Sequence, residues 1–220
     1  MSLNIEQARF NMIEQQVRTW DVLDHAVLDV MGTVPREDFV PSRYRRMAFT
    51  DIRVPLDQQQ VMMKPVEEGR MLQSLAMQGG LSVLEVGTGS GFAAACLAAL
   101  GGRVLSIEIH RELAESAAAR LDRLGVEAVE VRCADVFDPG FDPGRSFDRI
   151  VVTGSADEVP ARLLEWVRPG GRLFAVRGRS PAMEAVCLRR ADDGAWQTDS
   201  LFETDLPRLV GAEDRPRFEF

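Results

Sequence analysis

Lysine is nearly missing: Lys64 is the only one in 220 residues, and every other basic side chain is an arginine. Histidine is limited to His25 and His110, too few for a His/Cys metal cage, so no metal is expected. Cysteine is limited to Cys96, Cys133 and Cys187, an odd count without a C-x-x-C spacing. That excludes a disulfide framework and indicates free thiols in a reducing compartment. An excess of basic charge is also lacking. The formal net charge is −8, whereas a protein that grips nucleic acid needs cationic surface to neutralise phosphates. No apolar run is long enough to span a bilayer. Residues 1–18 are polar and amphipathic, unlike a secretory signal. Internal repeats and low-complexity linkers are absent. The expectation is a cytoplasmic chain with no nucleic-acid or membrane partner, acting as a monomer or homodimer and long enough for one good core.

What is present is organised around Val83-Leu84-Glu85-Val86-Gly87-Thr88-Gly89-Ser90-Gly91-Phe92. A short apolar run ends in glycines on alternate positions, and an alanine-rich run follows. That order predicts a buried strand, a tight turn and a helix. Glycine lets backbone approach a ligand, because no Cβ intervenes. In open α/β sheets ligands bind at the carboxyl ends of the strands, so this loop is the expected floor of the site. A dinucleotide fingerprint, G-x-G-x-x-G, would need its third glycine where Phe92 stands.

Upstream, Ile5, Ala8, Met12, Ile13 and Val17 recur at helical spacing. A second helix is predicted from Asp24, carrying Val27, Leu28, Val30 and Met31 and stopping before Pro35. Pro35 to Pro41 reads as a proline-bracketed turn, and Ser42 as the cap of a short helix through Met47. These pieces cannot close a core alone and should pack on the later sheet. Residues 54–63 read as irregular or extended. Pro65 suits the first position of a helix with Glu67 and Glu68 in its first turn, ended by Gly79-Gly80. Strands are predicted at 81–86, 103–109, 126–132, 148–153 and 172–176, then a hairpin of 183–190 and 196–203. Helices fall at 111–124 and 160–167. Repeated βα units predict a mainly parallel sheet with helices on both faces. The tail 208–220, with Phe218 and Phe220, either frays or covers a sheet edge.

The G-x-G-x-G spacing with Glu85 resembles the first motif of class I S-adenosylmethionine-dependent methyltransferases. Glu108 ends the second strand 21 residues after Gly87, where an acid can accept from both ribose hydroxyls. Asp135 resembles the family's adenine-amine acceptor, with Val136 offering a backbone N–H. Phe147-Asp148-Arg149-Ile150-Val151-Val152-Thr153-Gly154 resembles the fourth-strand motif, and Val167-Arg168-Pro169-Gly170-Gly171-Arg172-Leu173 the turn before strand five. The resemblance implies an α/β, Rossmann-like doubly wound sheet with an N-terminal helical cap and a C-terminal hairpin. The cofactor would be S-adenosyl-L-methionine, leaving S-adenosyl-L-homocysteine, held by Glu85, Gly87, Thr88, Gly89, Gly91, Glu108, Ile109, Asp135, Val136 and Thr153. His110 reads as a loop residue near the adenosine, and His25 as a helix-surface or capping residue.

The first half narrows this further. Arg9-Phe10-Asn11-Met12-Ile13-Glu14-Gln15-Gln16-Val17, Val34-Pro35-Arg36-Glu37-Asp38-Phe39-Val40-Pro41 and Ala48-Phe49-Thr50-Asp51 look like the protein-L-isoaspartate O-methyltransferase family. The likeness implies a cap over 1–78, a cofactor-binding unit over 79–220, and repair methylation of an isoaspartyl carboxylate in a protein or peptide. The family's acceptor segment reads roughly Gly-Gln-Thr-Ile-Ser-x-Pro; here it is Gln59-Gln60-Val61-Met62-Met63-Lys64-Pro65. Gln60 and Pro65 keep register, while Val61 replaces the threonine and Met63 the serine. Gln60 and Lys64 are the candidates on the acceptor side. Lys64 either meets an anionic acceptor or is a solvated lysine before a helix. Met62 and Met63 either face the acceptor or pack in the core. A carboxylate acceptor is ionised at neutral pH and needs no general base, which suits a chain so poor in histidine. The Asn/Asp-Pro-Pro-Tyr/Phe of many nucleic-acid amino-methylases is absent; Thr153-Gly154-Ser155-Ala156 stands there. The alternatives are another acceptor, such as a small carboxylic acid, or a cofactor-binding protein without catalysis.

Overall fold

The structure is a computed structural model that describes residues 4–212. Phe218 and Phe220 of the expected tail lie outside the described residues. Asn4 opens helix α1 (Ile5–Met12): its side chain accepts from the Gln7 N–H at 3.1 Å, satisfying one orphan donor of the first turn. The apolar stripe then continues, but its winding changes. Ile13–Val17 is a π turn and Arg18–Trp20 a 3-10 turn, ended by Asp21 at φ 57°. Asp24 caps helix α2 (His25–Thr33) through the Ala26 N–H at 2.9 Å, and exposed His25 is its first residue. Between the prolines lies a single helical turn, α3 (Arg36–Phe39). The 3-10 helix Ser42–Met47 begins without a side-chain cap bond, so Ser42 does not play the role expected of it.

The stretch expected to be irregular or extended is extended at both ends and forms a small antiparallel hairpin, β1 (Val54–Pro55) and β2 (Val61–Met62). Its turn is closed by the Leu56 N–H on the Gln60 carbonyl at 2.8 Å. Gln58 and Gln59 both take positive φ there, 57° and 58°. Left-handed backbone strains a residue with a Cβ. Gln59→Gly should therefore stabilise the protein by about 0.5–1 kcal/mol, the relief of strain exceeding the extra chain entropy of glycine. A urea midpoint that falls in this variant would show the turn unstrained.

Pro65 does start helix α4 (Pro65–Ser74), where its missing N–H costs nothing. The helix stops well before Gly79, because Ala76 takes φ 43°. Glu67 and Glu68 are buried, not solvated.

From there strand and helix alternate: β3 (Ser82–Val86), α5 (Phe92–Ala99), β4 (Arg103–Glu108), α6 (Arg111–Arg123), β5 (Val129–Cys133), β6 (Phe147–Ala156), α7 (Ala161–Glu165), β7 (Val167–Arg179), β8 (Ala182–Arg190) and β9 (Trp196–Thr204). Strand order is β5-β4-β3-β6-β7-β8-β9, parallel through β7 and antiparallel for the last two. Strand β5 begins later than predicted, since the Val126 N–H bonds back to the Leu121 carbonyl at 3.0 Å and keeps the chain in the helix exit. Strand β7 is much longer than 172–176. It already pairs at Val167 with Phe147, crosses Pro169-Gly170-Gly171 through a register shift, and runs on into the turn to β8.

Alternating strand residues feed two apolar layers. Val83, Val104 and Val151 face α5, α6 and the N-terminal helices, in one continuous cluster from Met12 to Leu206. Leu84, Leu105, Ile150 and Val152 face α7 and Phe147. The sheet is therefore covered on both sides, as a parallel sheet requires.

Candidate active site

Strand order reverses between β3 and β6: the chain leaves β3 toward β4 on one side and later returns on the other. A crevice opens at such a switch point, beyond the strand carboxyl ends. The main pocket lies there, lined by the ends of β3, β4 and β6, the loop after β5, residues 60–63 and residues 207–210.

The glycine loop forms its floor. Gly87 has φ 97°, and a Cβ there would sit 2.3 Å from Thr153 Oγ1. That hydroxyl donates to the Gly87 carbonyl at 2.6 Å, so β6 locks the loop through the space a side chain would need. Gly89 lines the pocket at φ 52° and gives its N–H to Glu108 Oε2 at 2.9 Å. Glu108 Oε1 accepts the His110 N–H at 3.0 Å. Two backbone donors thus fix the Glu108 carboxylate at the pocket wall. Asp135 is held similarly by the Phe137 N–H at 2.7 Å. Thr88, Ile109, Val136 and Thr153 also line the pocket.

Two residues of the expected cofactor set stand back from it. Gly91 begins α5 at φ 87° and faces Ala117 and Leu121. Glu85 is wholly buried beneath the loop, where its carboxyl accepts from Ser106. The Ser106 hydroxyl in turn lies 2.5 Å from that of Thr88, so Glu85 reaches the loop only through these hydroxyls. Burial pushes the Glu85 carboxyl up to about 8, against the pull of the Ser106 hydrogen bond. Below pH ~4.5 the folded and unfolded chains both hold this proton and stability is unaffected. Between there and about pH 8 only the folded chain keeps it, so stability falls as pH rises through that window. Above that both forms are ionised and the loss is complete. Glu85→Gln should remove this contribution, flattening the decline of melting temperature from pH 5 to pH 8; an unchanged slope would show that Glu85 is ionised in the fold.

On the opposite wall Gln60, Val61, Met62 and Met63 all line the pocket, and the last two are buried. Gln60 donates its amide to the Gln58 carbonyl at 3.2 Å. Lys64 is not in the lining. Its ammonium is 3.9 Å from the Asp51 carboxylate and a third exposed, while its backbone N–H meets Glu67 at 3.0 Å.

Sequence reasoning missed two parts of the site, Arg36 and residues 207–210, while His110, read as a loop residue near the adenosine, stands in the lining. Arg36, fully buried, donates to the carbonyls of Ala48 and Met63, each at 2.9 Å, and to Glu68 in the pocket wall. His110 lines the pocket with a buried Nε2 that has no partner among the described residues. Residues 207–210 line the pocket, tied to Ser155 near the end of β6. Neither Arg36 nor residues 207–210 carried a local signal for this place.

A family model described as protein-L-isoaspartate(D-aspartate) O-methyltransferase matches residues 7–212. The protein-L-isoaspartate O-methyltransferase of Brucella anthropi is 34% identical over 97% of this chain and 98% of its own length. That of Opitutus terrae is 42% identical over 83% of this chain and 80% of its own. Among solved structures, a Plasmodium falciparum protein described as a putative protein-L-isoaspartate O-methyltransferase in complex with S-adenosyl-L-homocysteine superposes with a TM-score of 0.77. It covers 94% of this chain and 99% of that one at 18% identity, which speaks for the fold.

Proposed function

The chain belongs to the protein-L-isoaspartate(D-aspartate) O-methyltransferase family, and on that footing we infer that it methylates the free carboxylate of L-isoaspartyl residues in proteins or peptides, in the cytoplasm. S-adenosyl-L-methionine is the methyl donor and S-adenosyl-L-homocysteine the product. The observation that carries the reading is the pair of fixed carboxylates, Glu108 and Asp135, on either side of the glycine loop's pocket.

The residues fit this donor. Glu108 would take the ribose hydroxyls, Asp135 and Val136 the adenine edge, and the backbone of Thr88 and Gly89 the amino-acid end. Acidic walls suit a molecule bearing a sulfonium and an ammonium. Bound there, the donor supplies a methyl group on a positively charged sulfur, open to in-line displacement by a carboxylate oxygen. The protein's task is alignment and exclusion of water, worth up to ~7–11 kcal/mol. The acceptor needs no deprotonation. The carboxylate in the wall below the acceptor segment, Glu68, is bound to Arg36, so no base is proposed.

Glu108→Ala should weaken donor binding roughly tenfold to a hundredfold, the loss of charge-assisted hydrogen bonds worth ~1.5–3 kcal/mol. Unchanged affinity by calorimetry would remove Glu108 from the donor site. The apolar Val61 and Met63 in the lining favour, as a second reading, a small carboxylic acid as acceptor. A screen with labelled donor separates the two: isoaspartyl peptides should be methylated in preference to their normal aspartyl counterparts and to small acids. Turnover of small acids alone would leave the second reading standing, and no turnover at all would leave a binding protein.

A further inference from the structure

We propose that His110 binds the methyl donor directly, its imidazole donating a hydrogen bond to a ribose hydroxyl whose own proton goes to Glu108. The inference rests on the donor reading above, with Glu108 on the ribose, and adds a residue to it.

The ring stands in the pocket lining, and its Nε2 is buried without a partner among the described residues. A buried polar atom left unpaired destabilises the fold, and native proteins keep few of them. The main chain ties this residue to the ribose acid. The His110 N–H bonds to Glu108 Oε1 at 3.0 Å, and the Cys133 thiol donates to the Ile109 carbonyl at 3.8 Å. The neighbouring carboxylates are engaged elsewhere: Glu108 takes two backbone N–H groups, and Glu112 takes the Gln58 amide at 2.9 Å.

The ring is not used to start the helix either. His110 holds the capping position of α6, with φ −86° and ψ 110°. Asn4 and Asp24 use their side chains at that position to cap α1 and α2. The imidazole makes no such bond to α6, a helix of 13 residues, so the capping stabilisation is forgone and the ring is left to the pocket.

Hydrogen-bond chemistry selects the group it meets. An ionised carboxylate only accepts, so Glu108 takes protons from ribose hydroxyls and gives none. The Gly89 N–H is spent on Glu108 itself. A hydroxyl whose proton lies on Glu108 still has lone pairs to fill, and a neutral imidazole carries one N–H. Of residues 107–110, all in the lining, only His110 has a side-chain N–H to offer.

The test is calorimetry on the whole protein with S-adenosyl-L-homocysteine and its 2′-deoxy and 3′-deoxy analogues. His110→Phe keeps a ring without an N–H. It should weaken S-adenosylhomocysteine binding roughly five- to tenfold, the worth of one hydrogen bond, and weaken the analogue lacking the contacted hydroxyl by less than about twofold. Turnover at saturating donor should stay within about twofold, since the ring touches no reacting atom. His110→Ser separates binding from structure. Serine can cap α6 but is too short to replace the imidazole, so the melting temperature should rise while S-adenosylhomocysteine binds more weakly. Unchanged affinity in either variant would overturn the proposal. Equal loss for S-adenosylhomocysteine and both analogues in His110→Phe would overturn it too, giving the ring a structural role and leaving the donor reading intact. Failure of the unaltered protein to bind S-adenosylhomocysteine would overturn the donor reading and the proposal with it.

Discussion

Gly87→Val should lose donor binding by at least two orders of magnitude. A Cβ at this position would lie 2.3 Å from Thr153 Oγ1, and φ is 97°, where branched residues are heavily penalised. Thr153 must then give up its hydrogen bond, shared between the Val86 and Gly87 carbonyls at 3.1 and 2.6 Å, and the loop must turn elsewhere. The loss of this one shared hydrogen bond and the backbone strain together cost about 2–3 kcal/mol. The same displacement carries Gly89 away from the Glu108 carboxylate it binds. A double variant that adds Thr153→Ala removes the clash but not the φ penalty, and should regain part of the stability and little of the binding. Gly89→Ala is the milder change: its Cβ meets only Leu56 Cδ1, at 3.3 Å. Calorimetry with S-adenosylhomocysteine on folded variants decides. Normal affinity in Gly87→Val would show that the loop turns the chain without shaping the site.

The second large effect concerns stability. Arg36→Met should cost about 3–5 kcal/mol, the usual penalty for leaving a buried partner uncompensated. Arg36 and Glu68 are both almost fully buried. Burial already pushes the Glu68 carboxyl up to about 8, with Arg36 the main influence holding it down. Removing Arg36 leaves the Ala48 and Met63 carbonyls without their donor and Phe92 without the guanidinium 4.7 Å from its ring. For a chain of this size the melting temperature should fall by roughly 10 °C or more. Replacing both partners with apolar residues, Arg36→Met with Glu68→Leu, should recover most of the loss, because no buried polar group is then left without its partner. A thermal melt of Arg36→Met within 2 °C of the unaltered protein would mean the pair contributes nothing. Because Arg36 also holds the Met63 carbonyl, the double variant should bind donor normally yet turn over acceptor more slowly.

The local logic of β3, its glycine turn and α5 was legible in the chain, because strand, turn and helix signals there depend on neighbours in sequence. Glu108 was legible for the same reason, marking the end of a short strand, whereas Asp135 was singled out by resemblance alone. Glu67, Glu68 and Glu85 were not legible. A glutamate in a first helical turn is accounted for by the helix dipole, and only the fold brings Arg53 and Thr204 to Glu67 and Arg36 to Glu68. Strand β7 was cut short because Pro169-Gly170-Gly171 reads as a stop; its pairing with β6 resumes beyond a register shift that no local pattern announces. Arg208 to Val210 read as the start of a tail that frays or covers a sheet edge. Their place in the pocket lining depends on Ser155, more than fifty residues earlier, offering both its N–H and its carbonyl.

One measurement bears most directly on the account. The protein is incubated with methyl-labelled S-adenosylmethionine and matched peptides that differ only in carrying an isoaspartyl or a normal aspartyl residue, and the labelled product is then exposed to mild base. The account predicts label on the isoaspartyl peptide, little on its aspartyl counterpart, and release of that label as methanol in base, as a carboxyl methyl ester requires. Label that survives base, or equal labelling of the two peptides, would contradict it.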